Sequence, residues 1–188
     1  MRVTGVALCL MLCGAAPVFA ADTPKFDVLG AYSFMRDTSR SETFPAGWVA
    51  SAAGNATSWI GVVTEVGGSY RTCKNCQRGP FASQKFRGTD LHLSVHTFLG
   101  GPRVASHAVA AMTPFAQVLF GGAHVSGGVE FDGALNTGVV YQPGAGIDVQ
   151  VTPSVGIRLE GDYRVIRSTG HNNKESRVLA GVVVGFGQ

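Results

Sequence analysis

Residues 155–165 read V-G-I-R-L-E-G-D-Y-R-V and alternate strictly. Arg158, Glu160, Asp162 and Arg164 occupy every second position, and Ile157, Leu159, Tyr163 and Val165, with Gly161, fall between them. Successive side chains of a β-strand point to opposite faces, so as a strand this segment has one charged and one apolar face. A helix would scatter both kinds around its circumference. The charged face must meet water or the interior of a closed sheet, and the apolar face must meet something apolar.

The same period recurs elsewhere. Phe26, Val28, Tyr32 and Phe34 oppose Asp27, Leu29, Ala31, Ser33 and Met35. Ile60, Val62, Val66 and Tyr70 oppose Glu65 and Ser69, while Tyr141, Ala145, Ile147 and Val149 oppose Gln142, Asp148 and Gln150, with Gly144 and Gly146 on the inner side. Candidate strands cover about 26–35, 46–55, 59–70, 90–106, 114–126, 139–151, 155–166 and 176–187. The facing of 46–55 and 114–123 stays open, because both of their faces are apolar. From Ala21 onward no run of about 18 apolar residues occurs, so no membrane-spanning helix is predicted. Yet the chain is 45% hydrophobic and only 14% charged, with 26 glycines. Alternating segments of about ten residues with this composition predict an all-β fold, an eight-stranded antiparallel up-and-down transmembrane β-barrel. Tight turns are expected at 55–58 and 152–154, an intermediate link at 107–113, and longer polar loops at 36–45, 71–89, 127–138 and 167–175.

The N-terminus is of a different kind. Met1-Arg2 is basic, Val6–Cys13 is almost wholly apolar, and Val18-Phe19-Ala20 places small residues where a signal peptidase reads. This pattern predicts a signal peptide over 1–20, with the barrel domain over 21–188. The net charge of +3 is too small to argue for nucleic acid. Cys73-x-x-Cys76 remains after removal of Cys9 and Cys13, and in an oxidising compartment a loop disulfide is the expectation. No cofactor is expected.

An eight-stranded barrel is just wide enough for side chains to fill it. The inward set is predicted to be Asp27, Glu65, Arg103, Asp148, Arg158, Glu160, Asp162 and Arg164, paired across the lumen as a charge network. The other possibility is a narrow pore in which these pairs exchange partners.

Six segments in order carry a family resemblance: F-D-V-L-G-A-Y-S-F at 26–34, W-I-G-V-V-T-E-V-G-G-S-Y at 59–70, G-P-R-V at 101–104, P-F-A-Q-V-L-F-G-G-A at 114–123, P-G-A-G-I-D-V at 143–149 and I-R-L-E-G-D-Y at 157–163. In the last strand, Gly181-x-x-Val184-x-Phe186 resembles the terminal signal read by the outer-membrane insertion machinery. Together they resemble the small outer-membrane β-barrel domain family related to the barrel of outer-membrane protein A. The resemblance implies a location in the cell outer membrane, contact with the insertion machinery during biogenesis, and a closed barrel. It implies no single activity, since this fold serves tethering, adhesion, lipid enzymes and small pores.

The expected function is therefore a non-enzymatic outer-membrane barrel, monomeric, with a structural or surface-binding role among outer-membrane lipid and lipopolysaccharide. Arg71, Lys74, Arg78, Lys85 and Arg87 could meet lipopolysaccharide phosphates by charge. A lipid A-modifying enzyme is the alternative, because His92, Ser94 and His96 share one strand face. A carboxylate orienter would have to come from a neighbouring strand, and if those histidines faced inward they would be polar lumen filler. A soluble barrel carrying a hydrophobic ligand is a further possibility.

Overall fold

The computed structural model describes residues 23–38, 42–73, 91–106, 111–127, 137–168 and 171–187. The segment 1–20, expected as a signal peptide, Cys76 and most of 71–89 lie outside the described residues. So does the side chain of Cys73, whose backbone ends a strand.

The strands are β1 (Phe26–Asp37), β2 (Glu42–Phe44), β3 (Ala46–Asn55), β4 (Ile60–Cys73), β5 (Leu91–Ala105), β6 (Met112–Gly127), β7 (Thr137–Gln150), β8 (Val155–Ser168) and β9 (His171–Phe186). Each pairs antiparallel with its neighbour, and β9 pairs with β1 to close the sheet. The short β2 prolongs β3 along β1, so the two form one stave of an eight-stranded barrel. Between the pairs Tyr32↔Trp48 and Met35↔Phe44, two residues of β1 face three of the other stave. That extra residue is a β-bulge. Pro45 sits there because it has no N–H to give a ladder. The consequence shows in exposure, since Pro45 and Ala46 are both exposed while Phe44 and Gly47 are buried.

Ladder partners climb as they go round. Pro114 pairs with Ile147, Ile147 with Leu159, Leu159 with Ala180, Ala180 with Tyr32, Tyr32 with Trp48, Trp48 with Gly68, Gly68 with His96, and His96 with His124. One circuit thus ends 124 − 114 = 10 residues further along β6. This stagger tilts the strands, and closure leaves no sheet edge for lipid to meet.

The outward surface is apolar. Phe26, Val28, Tyr32 and Phe34 on β1, Val62 on β4, Phe98 on β5, Phe120 on β6, Val139 on β7, Leu159 on β8 and Val178 on β9 are all exposed. On β1 the belt spans the nine residues from Phe26 to Phe34, the length a tilted strand needs to cross a bilayer. Polar tips within it have internal partners. Trp48 Nε1 donates to Tyr70 Oη at 3.1 Å, and Tyr32 Oη donates to Pro45 O. Inside, Leu29, Val49, Leu179 and Val183 form one apolar cluster. A larger cluster gathers Met35, Val63, Leu99, Leu119, Val140 and Ile166 among its members.

The connections need correction. The turns at 56–59 and 151–154 are short, as predicted. The polar stretch 167–175, expected as a long loop, is mostly strand: β8 runs to Ser168 and β9 starts at His171. Strand also takes up 36–37 and 42–44 of the expected loop 36–45. The reason is height. Where a strand rises above the lipid belt, both faces can be polar, and the alternation that marks a strand disappears from the sequence.

Candidate functional site: the lumen charge network

Inward positions are set by parity. On β8 the odd residues Ile157, Leu159 and Tyr163 are exposed, and Arg158, Glu160, Asp162 and Arg164 are buried. Arg158, Arg164 and Arg177 are the largest fully buried side chains among the described residues. They survive burial because each meets carboxylate or amide oxygens, as an ion inside a protein must.

The predicted residues fall into two groups. Near the end of the barrel that holds the short turns, Arg103 grips Asp27 with both terminal nitrogens, the Nη1–Oδ1 contact being 3.1 Å. Arg158 donates to both oxygens of Asp148 at 2.7 Å and stands 3.7 Å from Asp27. Asn55 ties this group together. It accepts from Arg103 at 3.1 Å and donates to Asp27 at 3.2 Å and to Pro24 O at 2.8 Å. The Phe115 ring lies between the two guanidiniums, 4.4 Å from Arg158 Cζ and 5.9 Å from Arg103 Cζ, within cation–π range. A small cavity of about 60 Å³ opens here, lined in part by Asp27, Asn55, Arg103 and Asp148.

The second group crosses the middle of the lumen. Arg177 bridges Glu65, at 2.9 Å through both terminal nitrogens, and Asp162, at 2.7 and 2.8 Å. Gln142 donates to Glu65 at 3.2 Å and accepts from Arg164 at 2.7 Å. Arg164 also lies 3.6 Å from Glu175. Glu160 accepts from Gln117 at 2.6 Å. Gly144 makes room for this group, since a Cβ there would collide with the Asp162 carboxylate. The structure therefore brings Glu65, Asp162 and Arg164 together through Gln142 and Arg177, and places Asp27, Arg103, Asp148 and Arg158 in a separate set.

Arg177, Glu175, Asn55 and Gln117 are members that the sequence reasoning did not select, and Gln142, which it placed on the inner face, was not counted in the charge network. A signal for two of them existed: carrying the alternation of Val178, Ala180 and Val182 back along β9 puts Glu175 and Arg177 on the inward face. The polarity of 167–175 hid Glu175, whereas Arg177 stood inside the expected strand 176–187.

The histidine–serine face is outside the barrel, not in the lumen. His92 and His96 are exposed and Ser94 half-buried, opposite in parity to the buried Leu93, Val95 and Thr97. His92 Nδ1 is 3.2 Å from Thr72 Oγ1, and His96 meets Tyr70 edge-on at 5.7 Å. Every Asp and Glu whose side chain is described faces the lumen: Asp27, Asp37, Glu65, Asp148, Glu160, Asp162 and Glu175. None of them can orient an outward histidine. Among the described residues no cluster of three or more His, Cys, Asp or Glu could hold a metal. The terminal motif lies on the seam. Phe186 is exposed and pairs with Phe26, and a Cβ on Gly181 would come within 2.6 Å of Ala31 Cα.

No protein-family model matches the sequence, and no curated protein matches it. Solved structures do match. Neisserial surface protein A superposes with a TM-score of 0.62 at 16% identity, covering 88% of this chain and 99% of that one. Ail, the attachment invasion locus protein of Yersinia pestis, solved in complex with the heparin analogue sucrose octasulfate, gives 0.54 at 14% identity, covering 86% and 96%. The N-terminal β-barrel domain of Pseudomonas aeruginosa OprF gives 0.50 at 9% identity, covering 84% and 96%. At these identities the likeness is one of fold: this chain has the closed eight-stranded antiparallel barrel of these small outer-membrane proteins.

Proposed function

We propose that this chain is a non-enzymatic resident of the cell outer membrane with a structural or surface-binding role, its lumen closed by ion pairs. The observation that carries the reading is the Arg177 bridge between Glu65 and Asp162, set across the lumen of a barrel whose outer face is apolar. A network of charge-assisted bonds across the bore resists opening, because moving Arg177 would strand two buried carboxylates. The non-enzymatic part rests on the separation of the outward His92–Ser94–His96 face from every described carboxylate. The partners of this reading are the surrounding lipid and lipopolysaccharide and, during assembly, the insertion machinery engaging Gly181, Val184 and Phe186. The barrel acts as a monomer.

A second reading, a narrow cation-preferring pore, draws on the seven inward carboxylates among the described residues, which face four buried arginines: Arg103, Arg158, Arg164 and Arg177. Gel migration of the outer-membrane fraction, unboiled against boiled, tests the barrel: a heat-dependent shift is expected, and recovery in the soluble fraction would overturn the reading. Planar-bilayer recording separates plug from pore. The plug predicts no discrete conductance steps, and regular cation-selective steps would establish the pore instead.

A further inference from the structure

Register sets two histidines side by side on the outer face. His96 of β5 is the direct ladder partner of His124 of β6. Both are exposed, and both share the outward parity of Phe98 and Phe120 on the same two strands. Directly opposed residues of an antiparallel pair project to the same side of the sheet, with Cβ atoms about 4.5–5.5 Å apart. The two imidazoles therefore stand over one short stretch of wall. On the β4 side, His96 pairs with Gly68. The space over that glycine is taken by Trp48 Nε1 and Tyr70 Oη, each 2.7 Å from where a Cβ would stand. Tyr70 also meets His96 edge-on at 5.7 Å. Two residues before His124, Gly122 lies on the same face, and the nearest described atom that a Cβ there would meet is Gly138 O at 3.9 Å. His96 is thus flanked by aromatic side chains on one side and by His124, with room beside it, on the other. The pair stands two residues beyond Phe98 and four beyond Phe120, on the side away from the short turns, at the edge of the apolar belt where dissolved ions arrive.

We propose that His96 and His124 form a surface site for a late first-row divalent cation, Cu2+ or Zn2+ in its chemistry. The donors decide the class, because imidazole nitrogens suit copper, nickel and zinc, whereas calcium and magnesium take oxygen ligands. Nitrogens bound about 2.0–2.1 Å from one ion lie about 3 Å from each other. Rings rooted about 5 Å apart on one face reach that spacing. Two protein donors are fewer than the four of a closed structural site, so water completes the sphere and the ion exchanges. Among divalent ions of this class Cu2+ binds such donors most tightly.

The test uses the full barrel, purified in non-ionic detergent, stripped with a chelator and titrated with Cu2+ alone, with binding read by electron paramagnetic resonance. The original protein is expected to give a copper signal coupled to two imidazole nitrogens. H96Q and H124Q should each weaken binding about tenfold or more and leave coupling to one nitrogen, as loss of a ligand must cost at least what loss of a ligand's support does. H92Q, four residues along the same face from His96, should bind as the original does. An undiminished two-nitrogen signal in H96Q/H124Q would put the copper on other histidines and overturn the site, and so would a loss in H92Q as large as that in H96Q. A measurement without variants stands beside these. Substoichiometric Cu2+ should broaden the NMR ring signals of His96 and His124 ahead of those of the other histidines, and broadening that starts elsewhere would overturn the proposal. Heat-dependent gel migration of each protein keeps the two levels apart. A barrel that shifts on heating but binds no copper at this pair defeats this proposal alone, leaving the non-enzymatic barrel reading as it stands.

Discussion

The two faces of β8 are one residue apart and chemically opposite. Arg158, Glu160, Asp162 and Arg164 are buried inside, and Ile157, Leu159 and Tyr163 are between 41 and 48% exposed outside. In a water-soluble sheet the charges would be outside. Here the hydrophobic surface faces outward and the ions face inward, where they pair with the adjacent strands, as Arg158 with Asp148 and Arg177 with Asp162, and across the bore, where Arg177 also joins Glu65, 112 positions away. The contrast teaches that the outer face is held by composition and the inner face by specific pairing. An outward residue needs only to be apolar, whereas an inward ion needs one particular partner.

This difference ranks the consequences of substitution. Arg177→Met should be the most damaging, because it leaves Glu65 and Asp162 buried without a cation. A loss of about 3–5 kcal/mol is expected from such a break, read by urea unfolding of the barrel in lipid vesicles. The companion triple variant R177M/E65L/D162L should recover most of that loss, since an apolar replacement of a buried ionic group is often neutral or better. A triple variant no more stable than R177M would mean that the network matters through shape and not through compensated charge.

On the outer face, Leu159→Arg should cost about 2–4 kcal/mol near the middle of the belt and much less near its edge. The same substitution at Val139, beside the upper rim, supplies the comparison in the same unfolding assay. Equal costs at the two depths would argue against a lipid belt. Next comes Gly144→Ala. Its methyl would be forced against Asp162, and a cost of about 1–3 kcal/mol is expected from overpacking, with a lower temperature for the heat-dependent gel shift. The smallest effect belongs to Trp48→Phe, which removes only the bond to Tyr70 and should cost about 0.5–1.5 kcal/mol. A larger loss there would show that the outer face, too, depends on specific pairing.

Much of the barrel was legible beforehand because alternation is a local property. The inward facing of Asp27, Glu65, Asp148 and the four β8 charges follows from strand parity, and the observed parities of β1, β4, β7 and β8 agree with it. Where local pattern fell silent, the reading failed for physical reasons. In β3 and β6 both faces are apolar, so only the closed sheet decides that Val49 and Leu119 point in while Trp48 and Phe120 point out. In 167–175 both faces are polar, so a hairpin rising above the belt looked like a loop.

Sequence by itself determined an all-β chain with period-two strands, an apolar face long enough to cross a bilayer, and the identity of most inward charges. Tertiary structure alone decided who pairs with whom. The ten-residue stagger sets which side chains meet across the bore, and so assigns Arg103 to Asp27, Arg158 to Asp148, and Arg177 to Glu65 and Asp162. Alternation depends on each residue's immediate neighbours, whereas pairing depends on the register of the closed sheet, which no single segment encodes.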